Sequence, residues 1–220
     1  MGSNKKNLSV QWIRVTLLER FLNVLYPIDM AVLLRELPQI GYVVPRKVLK
    51  GVLELGEALA IKGDIELLIN QDNKTIGVEG REVIGVIDSF KELRNFWLEK
   101  LNPSPKAETH YIEIGGQGYV LTDRNPMTVF GDFWADSKKI GVLGGIIGLD
   151  VMNFGLRLVS KDNEVNSPDW FDLRIQPQVI SSENQYYVNL VWRCKDMQVA
   201  LENFKKIDEI TRSLAREVEK

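Results

Sequence analysis

Cysteine and histidine are almost absent from this sequence. Among its 220 residues, Cys194 is the single cysteine and His110 the single histidine. One cysteine excludes a disulfide within the chain, and the two residues together are too few for a Cys/His zinc site. The scarcity of cysteine favours a reducing compartment, so the sequence predicts a cytoplasmic protein without a metal or other cofactor.

Strong net charge and long apolar runs are missing as well. The chain has 28 basic and 30 acidic residues, which gives a net charge of -2 and no overall field that would attract nucleic acid or an anionic membrane. No apolar run approaches the roughly 20 residues that span a bilayer, and the first residues lack the apolar core of a secretion signal. We therefore expect no membrane partner. Nucleic-acid binding remains a third hypothesis that depends on a local basic cluster of Arg46, Lys47 and Lys50.

What the sequence does contain is two similar strand-strand-helix units. In the second unit, apolar and polar residues alternate from Phe171 to Gln176, a strand follows at 186–193, and apolar residues then recur at helical spacing from the N-cap Asp196 to Val218. In the first unit, Ile65–Asn70 alternates in the same way, Ile76 and Val78 form the return strand, and a helix follows from Asp88 or Ser89. Corresponding residues lie roughly 106 to 112 positions apart, so duplication of half the chain would explain the pattern.

The pattern predicts an α+β fold of two pseudo-repeats. Each would be a mostly antiparallel strand meander closed by a C-terminal helix, with the helices on one face of a saddle-like sheet. Two prolines in 102–106 interrupt the chain and place the boundary between residues 1–104 and 105–220. One continuous domain and two separate small α+β domains are both compatible with this division.

Three segments are ambiguous at this level. Residues 10–26 combine helical and strand spacing, with a strand favoured over the second part, and residues 45–56 are either helix or buried irregular chain. The glycine-rich run 141–148 is either a ligand-binding loop or part of a helix from about Ser137. In the helix, Ile140, Leu143, Ile147, Val151 and Phe154 would form a stripe and the glycines would permit close backbone approach.

The outer face of the predicted sheet bears on nucleic-acid binding. Such a tandem saddle resembles TATA-box-binding proteins in architecture, and a DNA-binding saddle needs a cationic sheet. Here the face opposite the helices would carry both signs of charge, which disfavours that partner. Its predicted members are Lys62, Glu66, Asn70, Glu79, Asp172, Arg174, Gln176, Asn189 and Arg193.

The apolar supply near the glycine run points to binding. More large apolar side chains occur here than a simple sheet-helix core needs, and no catalytic arrangement accompanies them. The sequence therefore predicts a non-enzymatic binding protein with a pocket or interface between sheet and helices, whose partner is another protein, a second copy in a homodimer, or a small apolar ligand. The predicted lining residues are Phe130, Phe133, Trp134, Gly144, Gly145 and Asp150.

The alternative is an enzyme with a cleft site beside residues 141–148. It would use backbone groups of that run and one of Asp132, Asp136 or Asp150, although their spacing fits no known metal-binding loop. Cys194 precedes a predicted helix start, where a thiol pKa can fall, but packing is the simpler role. His110 and Glu113 lie in a predicted strand at a spacing that puts them on opposite faces, so they form no acid-base pair.

Overall fold

One antiparallel sheet organises the protein. The computed structural model describes residues 8–22, 30–51, 57–70, 72–101, 108–135, 137–180 and 184–220. Within these residues the sheet has eight strands in the order β2-β3-β4-β1-β5-β8-β7-β6. The strands are β1 (Ser9–Phe21), β2 (Ala60–Lys62), β3 (Ile65–Asn70), β4 (Thr75–Gly80), β5 (Thr109–Leu121), β6 (Leu156–Val159), β7 (Phe171–Pro177) and β8 (Gln185–Cys194).

Seven α-helices lie within the described residues. The same residues also contain a 3-10 turn at Leu37–Ile40 and a π turn at Trp97–Leu101. The α+β class and the antiparallel sheet are therefore confirmed. The helices are α1 (Met30–Glu36), α2 (Arg46–Leu49), α3 (Val83–Phe96), α4 (Pro126–Trp134), α5 (Lys138–Ile147), α6 (Met197–Lys205) and α7 (Ile207–Val218).

The two longest strands, β1 and β5, form the centre of the sheet. Their antiparallel register pairs Leu17 with Ile114, and both side chains are fully buried. Residues 10–26 were compatible with helix or strand, and β1 shows that Ser9–Phe21 is a strand. Val15, Leu17 and Phe21 are buried because alternate residues of a strand face the same side. The favoured later strand falls partly on residues 23–29, outside the described part.

Side-chain contacts fix α3 and α7 to one face of β1. Arg94 of α3 forms an ion pair with the buried Glu19, with an Nε to Oε2 distance of 3.0 Å. The indole of Trp12 donates a hydrogen bond of 2.6 Å to Asp208 of α7. The helices and the inward-facing strand residues enclose the core.

Several predicted boundaries differ from the observed ones. α3 begins at Val83, not at Asp88 or Ser89, because Val86 and Ile87 already face the core. The C-terminal segment forms two helices that break at Lys206, not one, so that α6 packs on β5 and β8 while α7 reaches β1. Asp196 caps α6 as predicted, since its carboxylate accepts a hydrogen bond from the Val199 amide.

The remaining ambiguous segments are partly resolved. In the segment 45–56, the described residues form the short helix α2, and residues 52–56 lie outside the described part. Residues 141–147 of the glycine-rich run belong to the helix α5, as the helical interpretation predicts, and Gly148 caps the end of that helix. The proposed boundary near Pro103 also lies outside the described residues, so the division into 1–104 and 105–220 stays a prediction.

Candidate functional site

Helix α4, which precedes the glycine-rich run 141–148, packs against the core. The Asn125 side chain accepts hydrogen bonds from the backbone amides of Met127 (2.9 Å) and Thr128 (3.3 Å), which caps the helix, and Pro126 occupies its first position. Phe130 is fully buried and packs edge-to-face on Tyr186, with 5.9 Å between ring centroids. α4 therefore presents its C-terminal end at a fixed position.

Helix α5 follows α4 but is hardly buried. Of its ten residues only Gly144 is buried. A Cβ atom at Gly144 would lie 2.8 Å from the carbonyl oxygen of Leu149, so glycine permits the returning chain to pass against the helix. Gly148 ends the helix in the left-handed conformation, with φ of 77°. Because the helix ends at this turn, Val151 and Phe154 do not extend the predicted apolar stripe along it. Leu143 and Ile147, two other members of that stripe, are exposed to solvent.

The outward side of α5 is apolar, which reverses the usual arrangement of a surface helix. Val142, Leu143, Ile146 and Ile147 lie on one helical face, and Ile146 is 76% exposed. Large apolar side chains of the flanking chain are exposed beside it. Together the α5 surface consists of Phe133, Val142, Leu143, Ile146, Ile147, Leu149, Val151, Met152 and Phe154.

By itself α5 has little to stabilise it. Three internal glycines, Gly141, Gly144 and Gly145, each cost about 1 kcal/mol of helix stability relative to alanine. A helix of this length is marginal in water and normally depends on burying an apolar face. The apolar face of α5 points away from the described core, so the core does not stabilise the helix through that face.

Two grooves adjoin Trp134, and residues of α5 line one of them. One has a volume of about 350 Å³ and is lined by Trp134, Ile140, Val151 and Met152 together with polar neighbours. The other has a volume of about 430 Å³ and includes Arg157 and Arg174. Trp134 and Asn153 line both grooves. The buried indole nitrogen of Trp134 has no hydrogen-bond partner within the described residues.

The structure distributes the predicted lining residues over three environments. Phe130 lies in the core, where it lines neither groove, and Gly144 is buried under the returning chain. Phe133 is 45% exposed on the α5 surface, and Trp134 lines both grooves. Gly145 and Asp150 are exposed. Whether any of them contacts a partner stays a prediction.

Two of the three predicted carboxylates lie at the surface. Asp132 and Asp150 are exposed, and Asp136 lies outside the described residues. No group of three or more potential metal ligands occurs in the described part of the chain. The enzyme hypothesis therefore gains no geometric support from Asp132 and Asp150.

The two rare residues occupy inert positions. Cys194 ends β8 and is buried, and burial raises the pKa of its thiol, which disfavours the reactive thiolate. His110 packs beside Tyr111, with 5.0 Å between ring centroids. Burial and then the nearby charges of Arg20, Arg193 and Lys195 lower the pKa of His110, so its neutral form prevails near pH 7.

The exposed sheet face carries paired charges of both signs. Arg193 binds Glu113 with an Nε to Oε2 distance of 2.6 Å. Lys62 was predicted on this face, which is wrong, since its ammonium binds Glu92 of α3 at 2.5 Å on the helical side. Lys62 pairs with Ile65 across the hairpin and shares the inward side of that register position.

Sequence reasoning missed the second groove. Arg157 and Arg174 lie directly opposite each other on β6 and β7. The alternation of β7 signalled that Arg174 is on the outer face, but nothing in the sequence fixed its register against Arg157. The pair became visible only through strand pairing.

Comparison with known proteins assigns no function. No protein-family model matches the chain, and no curated protein matches it at a significant level. None of the helices in the described ranges combines the length and apolar content needed to cross a membrane. The functional argument therefore depends on the α5 surface and the grooves.

Proposed function

We propose that this protein is a non-enzymatic interaction protein that buries its α5 surface against another protein chain, and that a second copy of itself is the partner. The observation that carries the proposal is the orientation of α5. Its large apolar side chains point outward while its inward contact is made at Gly144. Apolar surfaces of this extent on soluble domains typically mark interaction sites.

The size of the α5 surface supports a stable interface. It contains nine large apolar side chains at about half exposure on average. Together they present on the order of 700 Å². A standard protein interface buries about 800 Å² on each partner. The apolar centre of an interface could thus be supplied by this one segment.

The charges at its two ends favour a second copy as the partner. Lys139 precedes the outward stripe of α5 and Asp150 follows it, and both are exposed. Two copies related by a twofold axis perpendicular to α5 would pack their α5 helices antiparallel. Lys139 would then approach Asp150 of the partner subunit twice, once at each end. The same surface would serve both chains.

Sedimentation equilibrium tests the proposal with the variant Ile146→Asp. We expect the wild-type chain to sediment at twice its mass of 25.1 kDa. An aspartate in the centre of the apolar interface would be buried without a partner, so the dimer dissociation constant should rise by about a hundredfold or more. Ile84→Asp is the matched control, because Ile84 is an exposed isoleucine of α3 outside the α5 surface.

Charge reversal then separates self-association from a different partner. Lys139→Glu should weaken the dimer by placing like charges together, and adding Asp150→Lys should restore it. A wild-type chain that stays at 25.1 kDa up to about 1 mM would contradict self-association. Equal weakening by Ile84→Asp would contradict the assignment to α5.

We further propose that the chain arose by tandem duplication, which is the origin suggested by its repeated pattern. The order strand, helices, three strands, helix occurs in 9–96 and again in 109–205. The strand order also reads the same outward from the central pair, β1-β4-β3-β2 on one side and β5-β8-β7-β6 on the other. Helices over one face of such a sheet would give the saddle-like shape.

We also propose a cytoplasmic location for the protein, as the scarcity of cysteine suggests.

A further inference from the structure

The groove beside β6 and β7 contains an unbalanced positive charge. Arg157 forms a two-point ion pair with Asp172, with Nη2 to Oδ2 at 2.6 Å and Nε to Oδ1 at 3.0 Å. The hydrogen bond from Arg157 holds the pKa of Asp172 below its usual range, so this pair is ionised and neutral overall. Arg174, directly opposite Arg157, forms no hydrogen bond or ion pair within the described residues.

A bound anion would relieve a charge repulsion in this arrangement. Like charges directly opposite on neighbouring strands repel each other, and Asp172 binds only one of the two guanidinium groups, that of Arg157. The trio of Arg157, Arg174 and Asp172 therefore has a net charge of +1. A ligand with one negative charge would balance it.

The walls of the groove add an apolar route away from that charge. Arg174 shares its groove with Trp134 and Phe154. Trp134 also lines the neighbouring groove, where Ile140, Val151 and Met152 supply apolar wall. Both volumes lie within the range of roughly 300–1,000 Å³ that is typical of small-molecule sites. The groove with Arg174 thus offers a charged group beside the aromatic residues Trp134 and Phe154.

We propose that this site binds an amphipathic monocarboxylate, such as a medium-chain fatty acid anion. The Arg174 guanidinium receives the carboxylate, since its planar fork matches the two oxygens and forms charge-assisted hydrogen bonds. The alkyl chain lies in the same groove, against Trp134 and Phe154. Asp172 holds Arg157 in place and thereby leaves Arg174 as the ligand's partner.

The groove that holds Arg174 shares Phe154 with the α5 surface, but none of the α5 helix residues line it. Ile146 lines neither groove. The variant Ile146→Asp should therefore bind the ligand with wild-type affinity even where it dissociates the dimer. This variant makes failure of the ligand proposal distinguishable from failure of the dimer proposal.

Isothermal titration calorimetry with decanoate tests the site. Decanoate should bind with one site per chain, whereas acetate and 1-decanol should each bind at least about tenfold more weakly, because one lacks the chain and the other the charge. Arg174→Gln should weaken decanoate by roughly 10- to 100-fold. Arg174 is exposed, so this substitution leaves the core intact.

Arg14→Gln is the matched control. Arg14 is also an exposed arginine of the outer sheet face, but it lies on β1 and binds Gln117 at 2.8 Å. Wild-type affinity in this variant and reduced affinity in Arg174→Gln would support the assignment. Absence of decanoate binding at about 1 mM, equal binding of 1-decanol, or an unchanged affinity in Arg174→Gln would each overturn it.

Discussion

Replacing Gly77 by alanine should lower the free energy of unfolding by about 3 kcal/mol or more. Gly77 lies in β4 between its neighbours β1 and β3, where it pairs with Leu18 and Leu68. A Cβ atom at this position would lie 2.2 Å from the carbonyl oxygen of Leu17 and 2.7 Å from the Cα of Leu18. Because both atoms belong to the backbone of a central strand, the clash is relieved only by moving β1 from β4. Urea unfolding followed by circular dichroism measures the loss.

Gly85→Ala provides the matched comparison. Gly85 lies in α3, and its added Cβ would meet no atom closer than 3.9 Å. Alanine there should raise the free energy of unfolding by about 0.5–1 kcal/mol, because alanine is the better helix former. If both alanine variants have similar stabilities, the close approach of β1 and β4 at Gly77 is wrong.

Replacing Arg94 by methionine should cost about 3 kcal/mol of unfolding free energy. Glu19 is only 2% exposed, and Arg94 is its ion-pair partner at 3.0 Å. Methionine keeps much of the side-chain volume but leaves the carboxylate without its counter-charge. Thr109 still donates a hydrogen bond of 2.6 Å to Glu19, which cannot replace a full charge. Chemical denaturation at pH 7 gives the value.

A second substitution tests whether charge is the cause. In Glu19→Gln combined with Arg94→Met, the buried group is neutral and its amide oxygen can still accept from Thr109. The double variant should recover about 1 kcal/mol or more relative to Arg94→Met alone. A double variant less stable than Arg94→Met would mean that packing of Arg94, not its charge, secures α3 to β1.

The strands were the most predictable part of the fold. The alternation in Ile65–Asn70 and Phe171–Gln176 predicts strands because one sheet face is buried and the other is wet, and both segments are strands. β1 was harder to assign. Trp12, Val15, Leu18 and Leu22 imitate helical spacing, and a register shift near Trp12 interrupts the period of two.

Helix boundaries and side-chain partners were less accessible. Val83 and Ile84 precede the expected N-cap residues, yet α3 starts there because Val86 and Ile87 pack on the sheet. Lys62 was assigned to the wrong face since its strand is only three residues long and ends the hairpin. In both places tertiary contacts outweighed local sequence preference.

The candidate site was only half predictable. Composition indicated an apolar excess around Phe133 and the glycine run, and the α5 surface lies there. Its outward direction was not foreseen, because glycine at 144 lets the returning chain define the inner side of the helix. The groove with Arg174 depends on the register between β6 and β7, which places Arg157 opposite Arg174. A local sequence pattern does not encode the pairing of residues so far apart in the chain.

Hydrogen exchange of α5 as a function of protein concentration tests the central claim most directly. If a second copy covers the α5 surface, the amides of 138–147 should exchange slowly when the dimer is populated and faster on dilution below its dissociation constant. The amides of β5 should exchange equally slowly at both concentrations, because β5 lies at the centre of the sheet. Exchange of α5 that does not change on dilution would contradict the account.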